Sequence, residues 1–188
     1  MRSQRTMSMA TAAIAALAFC SAGANAQTAK ASSAQAKRGE YLATLGGCHD
    51  CHTPKVMTKD GPVPDKSRLL IGHPATAKLP PVPPGIFGPD QWGAITTNDL
   101  TAWVGPWGTS FAANLTPDND TGIGKWTADQ FIKTIRTGKH LGVGRPILPP
   151  MPWPSYAMLN DTDLRALFAY LKSLKPVSNR VPEPIPPK

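Results

Sequence analysis

Cysteine is scarce in this chain: three among 188 residues, at positions 20, 48 and 51. That excludes a domain stapled by disulfides, which carries several pairs. A bridge closing so small a loop as Cys48 to Cys51 would stabilise little, because loop-closure entropy grows with loop length. Acidic residues are also few, 12 Asp and Glu against 20 Lys and Arg, for a formal net charge of +8. The basic residues are scattered, without a Lys/Arg run or interleaved aromatics, which argues against nucleic acid and for an acidic protein partner or a membrane surface. No apolar run reaches the roughly 18 residues that would mark a transmembrane segment. There is no internal repeat, and no stretch reads as a strong strand.

What is present begins with MRSQRTMSMATAAIAALAFCSAGANAQ. Arg2 and Arg5 give a positive start, Met9 to Ala18 an apolar run, and Ala24-Asn25-Ala26 the small residues that a signal peptidase reads. Residues 1–26 are therefore expected to be a secretory signal, with Gln27 the mature start and 27–188 a single domain. Phe19 is bulky where a lipid-attachment site before Cys20 would want a small residue. Cleavage removes two of the 20 basic residues and none of the 12 acidic ones, leaving +6 and only Cys48 and Cys51.

Residues 33–45 (SAQAKRGEYLATL) read as a short helix with Tyr41, Leu42 and Leu45 on one face, ended by Gly46-Gly47. From about 54 to 106 the chain is rich in Pro and Gly, reading as an irregular insertion that packs on something. Thr127 to Gln130 form a capping-box pattern ahead of Phe131, Ile132 and Ile135, with Gly138 a stop. The last helix is expected from Asn160 as N-cap, with Asp163 at the third helical position and a stripe of Leu164, Leu167, Phe168, Leu171 and Leu174. The proline-rich tail, 176–188, is expected to stray over the surface. The helical core, about 33–175, reads as mainly α with long Pro/Gly-rich loops.

Chemistry concentrates in GGCHDCHTP, Gly46 to Pro54. A structural zinc needs four ligands, usually paired; beyond Cys48, Cys51 and His52 only the unpaired His49, His73 and His140 remain. A thioredoxin-like redox pair needs a βαβ context that is missing. A covalently attached haem c uses every residue: Cys48 and Cys51 as thioethers to the vinyl groups and His52 as the proximal iron ligand. For the distal position the mature methionines are Met57, Met151 and Met158. Met57 follows His52 too closely to reach the opposite face, and Met158, just before the N-cap, reads as packing. Met151, in PPMPWP, is held by prolines over a pocket and is the expected distal ligand, with His73 and His140 as rivals.

The order helix, CxxCH, long loop, methionine loop, terminal helix resembles class I cytochrome c. More narrowly, ANLTPDNDTGIGKWTADQFIKTIRTGKHLG and MPWPSYAMLNDTDLRALFAYLKSLKPV are similar to the haem domains of the cytochrome c subunits of bacterial membrane-bound dehydrogenases, the alcohol dehydrogenase type among them. The resemblance covers most of residues 37–183. It implies a class I cytochrome c-like domain of a few helices around one haem. It also implies Met151 as the distal ligand and a crossing of the first and last helices at Gly39 and Tyr170. It supports the domain and not the specific dehydrogenase partnership, so association with a membrane dehydrogenase or oxidase stands as an expectation about partners. Those subunits carry three such domains and a membrane anchor, whereas this sequence has one CxxCH.

The expectation is a periplasmic monohaem electron carrier that is not itself an enzyme, between a dehydrogenase-type donor and a respiratory acceptor. The alternatives are a haem enzyme with an open or displaceable distal site, such as a peroxidase or small-anion oxidase, and a haem-bearing sensor or binding module. Gly61-Pro62 is a candidate to offer a carbonyl to the proximal imidazole, or an ordinary turn. Asp118 to Gly122 has a weak calcium-loop pattern but lacks the closing glutamate and reads as a solvated turn. Trp92, Trp103, Trp107, Trp126 and Trp153 read as packing. Lys55, Lys59, Lys133, Arg136 and Lys139 are candidates to steer an acidic redox partner, against the plainer reading of a solvated face.

Overall fold

The computed structural model describes residues 33–187. The expected leader and Cys20 lie outside that range. Helix α1 covers 33–45, but its packed face differs from the expected one. Tyr41 is 57% and Leu45 70% exposed, while Gly39, Leu42 and Ala43, at i, i+3 and i+4, are buried. The cause is the partner. A Cβ on Gly39 would lie 1.9 Å from the Ala166 carbonyl oxygen and 2.7 Å from Tyr170 Cβ. Two helix backbones meet where Gly39 has no side chain, and that close approach rotates the larger apolar residues outward. Arg38 ties the crossing with two bonds to Asp163, at 2.9 and 3.3 Å.

The last helix, α5 (Asp161–Ser173), forms as its sequence dictates. Asn160 accepts the Asp163 N–H at 2.8 Å, and Leu164, Leu167, Phe168 and Leu171 are buried, with Leu174 partly buried beyond the end. Helix α3 (Ala128–Thr137) carries the reciprocal capping box of Thr127 and Gln130 and stops at Gly138 in the left-handed region, φ 62°. Phe131 of α3 meets Phe168 of α5 at 5.5 Å between ring centroids. Together with Leu42 and Leu70, these helices form the core. Each large side chain so buried stabilises by about 1.5–3 kcal/mol.

The mainly-α expectation is met only in part: five strands accompany five helices among the described residues. Strand β1 (Lys55–Thr58) pairs antiparallel with β2 (Gly61–Pro64), and β3 (Ile95–Thr96), β4 (Ala102–Gly105) and β5 (Gly108–Phe111) form a second antiparallel sheet in that order. None exceeds four residues, too short to show alternation, and Pro62 and Pro64 fit because the two-stranded ribbon leaves each strand an unpaired side. The insertion is thus ordered by tight turns rather than by periodicity. The remaining helices are short: α2 (Cys48–His52) and α4 (Trp153–Tyr156).

The tail does not stray. Asn179 is buried and donates to the carbonyls of Ile71 and His73 at 2.8 and 2.9 Å, while its side-chain oxygen accepts from Ala75 N–H. Ile185 exchanges both backbone bonds with Thr109 in β5. A Cβ on Gly108 would strike the Ile185 carbonyl oxygen at 2.1 Å, which explains the glycine.

Candidate functional site

Gly47, at φ 71°, turns the chain out of α1 so that one short helix, α2, carries the whole Cys-x-x-Cys-His motif. Cys48 and Cys51, three apart and so on one face, are free thiols and half-buried. Burial pushes both thiols above the ordinary cysteine value. His52 is buried, and its Nδ1 pairs with the Ala113 carbonyl oxygen at 2.8 Å. A carbonyl only accepts, so Nδ1 carries the proton and Nε2 the lone pair. Burial pulls the imidazole pKa down, against the opposing Ala113 bond, and keeps the ring neutral.

The carbonyl partner is therefore Ala113, and not Gly61-Pro62, which begin the outer strand of the β1–β2 hairpin. Ala113 is placed by two facing segments. Gly72 N–H donates to the His52 carbonyl at 2.8 Å, His73 N–H to Ala112 at 2.9 Å, and Leu115 N–H to Leu70 at 2.9 Å. Gly72 has φ 76°, and a Cβ there would lie 2.3 Å from the Ala112 oxygen and 2.5 Å from the Ala113 carbonyl carbon. Neither Gly72 nor Ala113 stood out in the sequence.

The end of α2 is closed by Lys55, whose ammonium donates to the carbonyls of Asp50 and Thr53 at 2.7 Å each and of His49 at 3.2 Å. Tyr156, also unforeseen, joins the motif to the methionine segment. Its hydroxyl donates to the Gly46 carbonyl and lies 4.0 Å from Cys48 Sγ, and burial pushes the phenol pKa well up.

Met151 is half-buried, five residues before Tyr156. Its segment is pinned on one side by Ser110 Oγ donating to the Pro149 carbonyl at 2.5 Å. On the other side Trp153 covers Gly138, where a Cβ would come within 2.4 Å of the indole. Among the described residues its sulfur enters no hydrogen bond. Met57 is 64% and Met158 85% exposed, so Met158 is not packed before its cap as expected. The rival histidines are otherwise engaged: His73 is buried, bonded to Thr101 Oγ1 at 2.8 Å and tilted at 45° against Phe111, and exposed His140 lies against Trp126. The structure gathers Cys48, Cys51 and His52 in one turn and links the Met151 segment to that turn through Tyr156.

Of the five basic candidates for docking, Lys55 is spent on α2 and Arg136 on Asp161 and the Ala157 carbonyl; Lys59, Lys133 and Lys139 are exposed, Lys59 beside the exposed Asp60 at 3.8 Å. Asp118 accepts from Thr121 and Asp120, and Thr121 Oγ1 in turn accepts from Asn114 and Asn179, so the loop reads as a turn bonded to the tail. No helix among the described residues is long and apolar enough to cross a membrane.

No protein-family model matches the chain. It is 34% identical over 141 residues to the gluconate 2-dehydrogenase cytochrome c subunit of Pantoea cypripedii, covering 75% of this chain and 23% of that one. It is 32% identical over 175 residues to the cytochrome c subunit of the quinone alcohol dehydrogenase of Gluconobacter oxydans (strain 621H), covering 92% and 28%. The fructose dehydrogenase cytochrome subunit of Gluconobacter japonicus is 29% identical over 147 residues, covering 78% and 23%. The chain thus spans about a quarter of the length of these curated relatives. Cytochrome c kinship implies haem c, and the donor set fits it: two free thiols on one helical turn beside a neutral imidazole with a free lone pair.

Proposed function

From its kinship with the cytochrome c subunits of bacterial dehydrogenases, we propose that this chain is a periplasmic monohaem cytochrome c. It passes single electrons from a dehydrogenase-type donor to a respiratory acceptor and is not itself an enzyme. Bound haem c supplies the one-electron iron couple. In this reading Cys48 and Cys51 hold the group as thioethers, His52 is the proximal ligand and Met151 the distal one.

The observation that carries the proposal is His52. Donating a hydrogen bond from Nδ1–H to the Ala113 carbonyl at 2.8 Å fixes the tautomer and the ring plane, and leaves Nε2 basic and unencumbered. Cys48 and Cys51 are fixed on the same turn by the Gly47 bend. The Ser110 bond and the Trp153–Gly138 contact hold the segment that carries Met151, while the exposure of Met57 and Met158 supports Met151 as the donor. A thioether at the distal position keeps small molecules off the iron and raises its potential, which suits a carrier better than a haem enzyme. Lys59, Lys133 and Lys139 steer an acidic partner, so the rate of reduction by that partner falls as salt rises.

Replacing Cys48 and Cys51 with Ala tests attachment: covalent haem staining on a denaturing gel is expected to vanish. Met151→Leu tests the distal ligand, with loss of the sulfur-to-iron charge-transfer band at the red end of the spectrum. A high-spin ferric wild type would sink the carrier reading and favour an open-site haem enzyme. Purification from the native host, asking which dehydrogenase accompanies and reduces the protein, identifies the donor.

A further inference from the structure

We propose that Lys55 is a positioning residue that clamps the end of the haem-binding turn and raises the reduction potential of the group held there. The inference rests on the haem reading above. Helix α2 is only five residues long: the Thr53 N–H reaches the His49 carbonyl at 3.3 Å, and no backbone N–H reaches those of Asp50 and Thr53 among the described residues. The Lys55 ammonium folds back over them. Asp50 and Thr53 oxygens accept at 2.7 Å and the His49 oxygen at 3.2 Å, using all three protons of the ammonium. The Asp99 carbonyl lies at 3.5 Å.

Lys55 is aimed there by its backbone. It opens β1, paired across to Pro64, and the neighbouring Pro54 carbonyl takes the Asp65 N–H at 2.8 Å. The lysine is thus a tripod fixed at its base by a hairpin and at its head by the turn.

Two consequences follow. The clamp joins the carbonyls of His49 and Asp50, which lie between the two cysteines, to that of Thr53, which follows the proximal histidine. The turn that presents Cys48, Cys51 and His52 is thereby closed from its open end. The charge also matters, because a cation held beside the turn favours the state of the site that is less positive by one, the reduced state. Two carboxylates oppose it: Asp50 on the same turn, with an exposed side chain, and Asp99, whose oxygens accept from the hydroxyls of Thr97 and Thr101. Neither carboxylate forms an ion pair with Lys55 among the described residues, so the cation is moderated and not neutralised. A freely solvated lysine would do neither job, since an exposed, mobile charge is screened.

Lys55→Gln removes the charge while keeping donors, and Lys55→Arg keeps the charge. In the haem-loaded protein, Lys55→Gln is expected to shift the reduction equilibrium toward the oxidised form by about tenfold, the order that one fixed charge exerts at an effective dielectric of about 20. That is about 59 mV in a one-electron midpoint titration. Lys55→Arg is expected to stay within about threefold of wild type. A Lys55→Gln protein with the wild-type potential overturns the proposal, however much its stability has changed. If Lys55→Gln takes up no haem, the arginine variant decides: loading with a near-wild-type potential supports the role, and no loading overturns it. A wild type without covalent haem on a denaturing gel would instead sink the haem reading itself, before any potential is measured.

Discussion

Gly72 is where a single methyl group should cost most. Two separate penalties meet there. Its φ of 76° lies in the left-handed region, which strains any L-residue by about 1–2 kcal/mol. The added Cβ would also stand 2.3 Å from the Ala112 oxygen and 2.5 Å from the Ala113 carbonyl carbon, and these are backbone atoms that cannot swing aside. Forcing the segments apart carries an overpacking cost of about 1–3 kcal/mol. It also strains the Gly72–His52 and Ala113–His52 bonds, both 2.8 Å. Gly72→Ala is therefore expected to destabilise by about 3–5 kcal/mol. Gly85 supplies the control: its φ is 67°, but nothing lies within 4 Å of an added Cβ. Gly85→Ala should cost only about 1 kcal/mol, the strain being partly offset by reduced freedom of the unfolded chain. Urea denaturation of the two haem-loaded variants measures the difference, expected as a midpoint lower by about 1 M or more for Gly72→Ala. Equal midpoints would refute the reasoning that close approach of the 70–73 and 112–115 segments holds the carbonyl partner of His52.

Other perturbations probe other joints. Asn179→Ala leaves the Ile71 and His73 carbonyls and the Ala75 N–H without their side-chain partner, and should cost about 2–4 kcal/mol in the same denaturation assay, although the residue lies in the tail. Ser110→Ala frees the Pro149 carbonyl at a cost of about 1 kcal/mol, and should make added imidazole displace the proposed distal ligand, Met151, faster in stopped-flow spectra. Bonds from Ser67 and Arg68 lower the Asp65 pKa from its ordinary value near 3.8 to about 2. With the folded value below the unfolded one, its stabilising contribution is complete above pH 4 and is lost as pH falls toward 2. Asp65→Asn should therefore lower stability at pH 5 and match wild type near pH 2, and an NMR titration of Asp65 should show its midpoint near 2.

The parts that were legible in the sequence are those whose chemistry fits within one or two helical turns. Cys48, Cys51 and His52 lie within five consecutive residues, and the Thr127–Gln130 and Asn160–Asp163 caps span three intervals each. Around Met151 the prolines are a local signal of rigidity, but where the segment sits depends on Ser110 and on the Gly46 carbonyl that Tyr156 meets, both far away in the chain. Ala113 was not legible at all, because every residue carries a carbonyl and only the fold selects the one that meets His52. The packed face of α1 escapes a local reading for a related reason: counting apolar side chains cannot register a contact made by the lack of one, as at Gly39.

The strands and the tail share a deeper cause, the 21 prolines. Each proline offers a carbonyl but no N–H, so a proline-rich segment cannot satisfy itself by pairing with another of its kind. Donors must come from elsewhere, and the short side chains of Ser, Thr and Asn supply them. Ser110 serves the Pro149 carbonyl, Asn114 and Thr116 serve Val177 just beyond Pro176, and Asn179 serves Ile71 and His73 beside Pro74. This accounts for four of the buried polar residues, Ser110, Asn114, Thr116 and Asn179. It also explains why segments without helical or strand periodicity are still held against the helices that carry the site. Beyond their tight turns, their order comes from long-range bonds, side chain to backbone and backbone to backbone, that span tens of residues, and a local reading of the sequence has no means of pairing them.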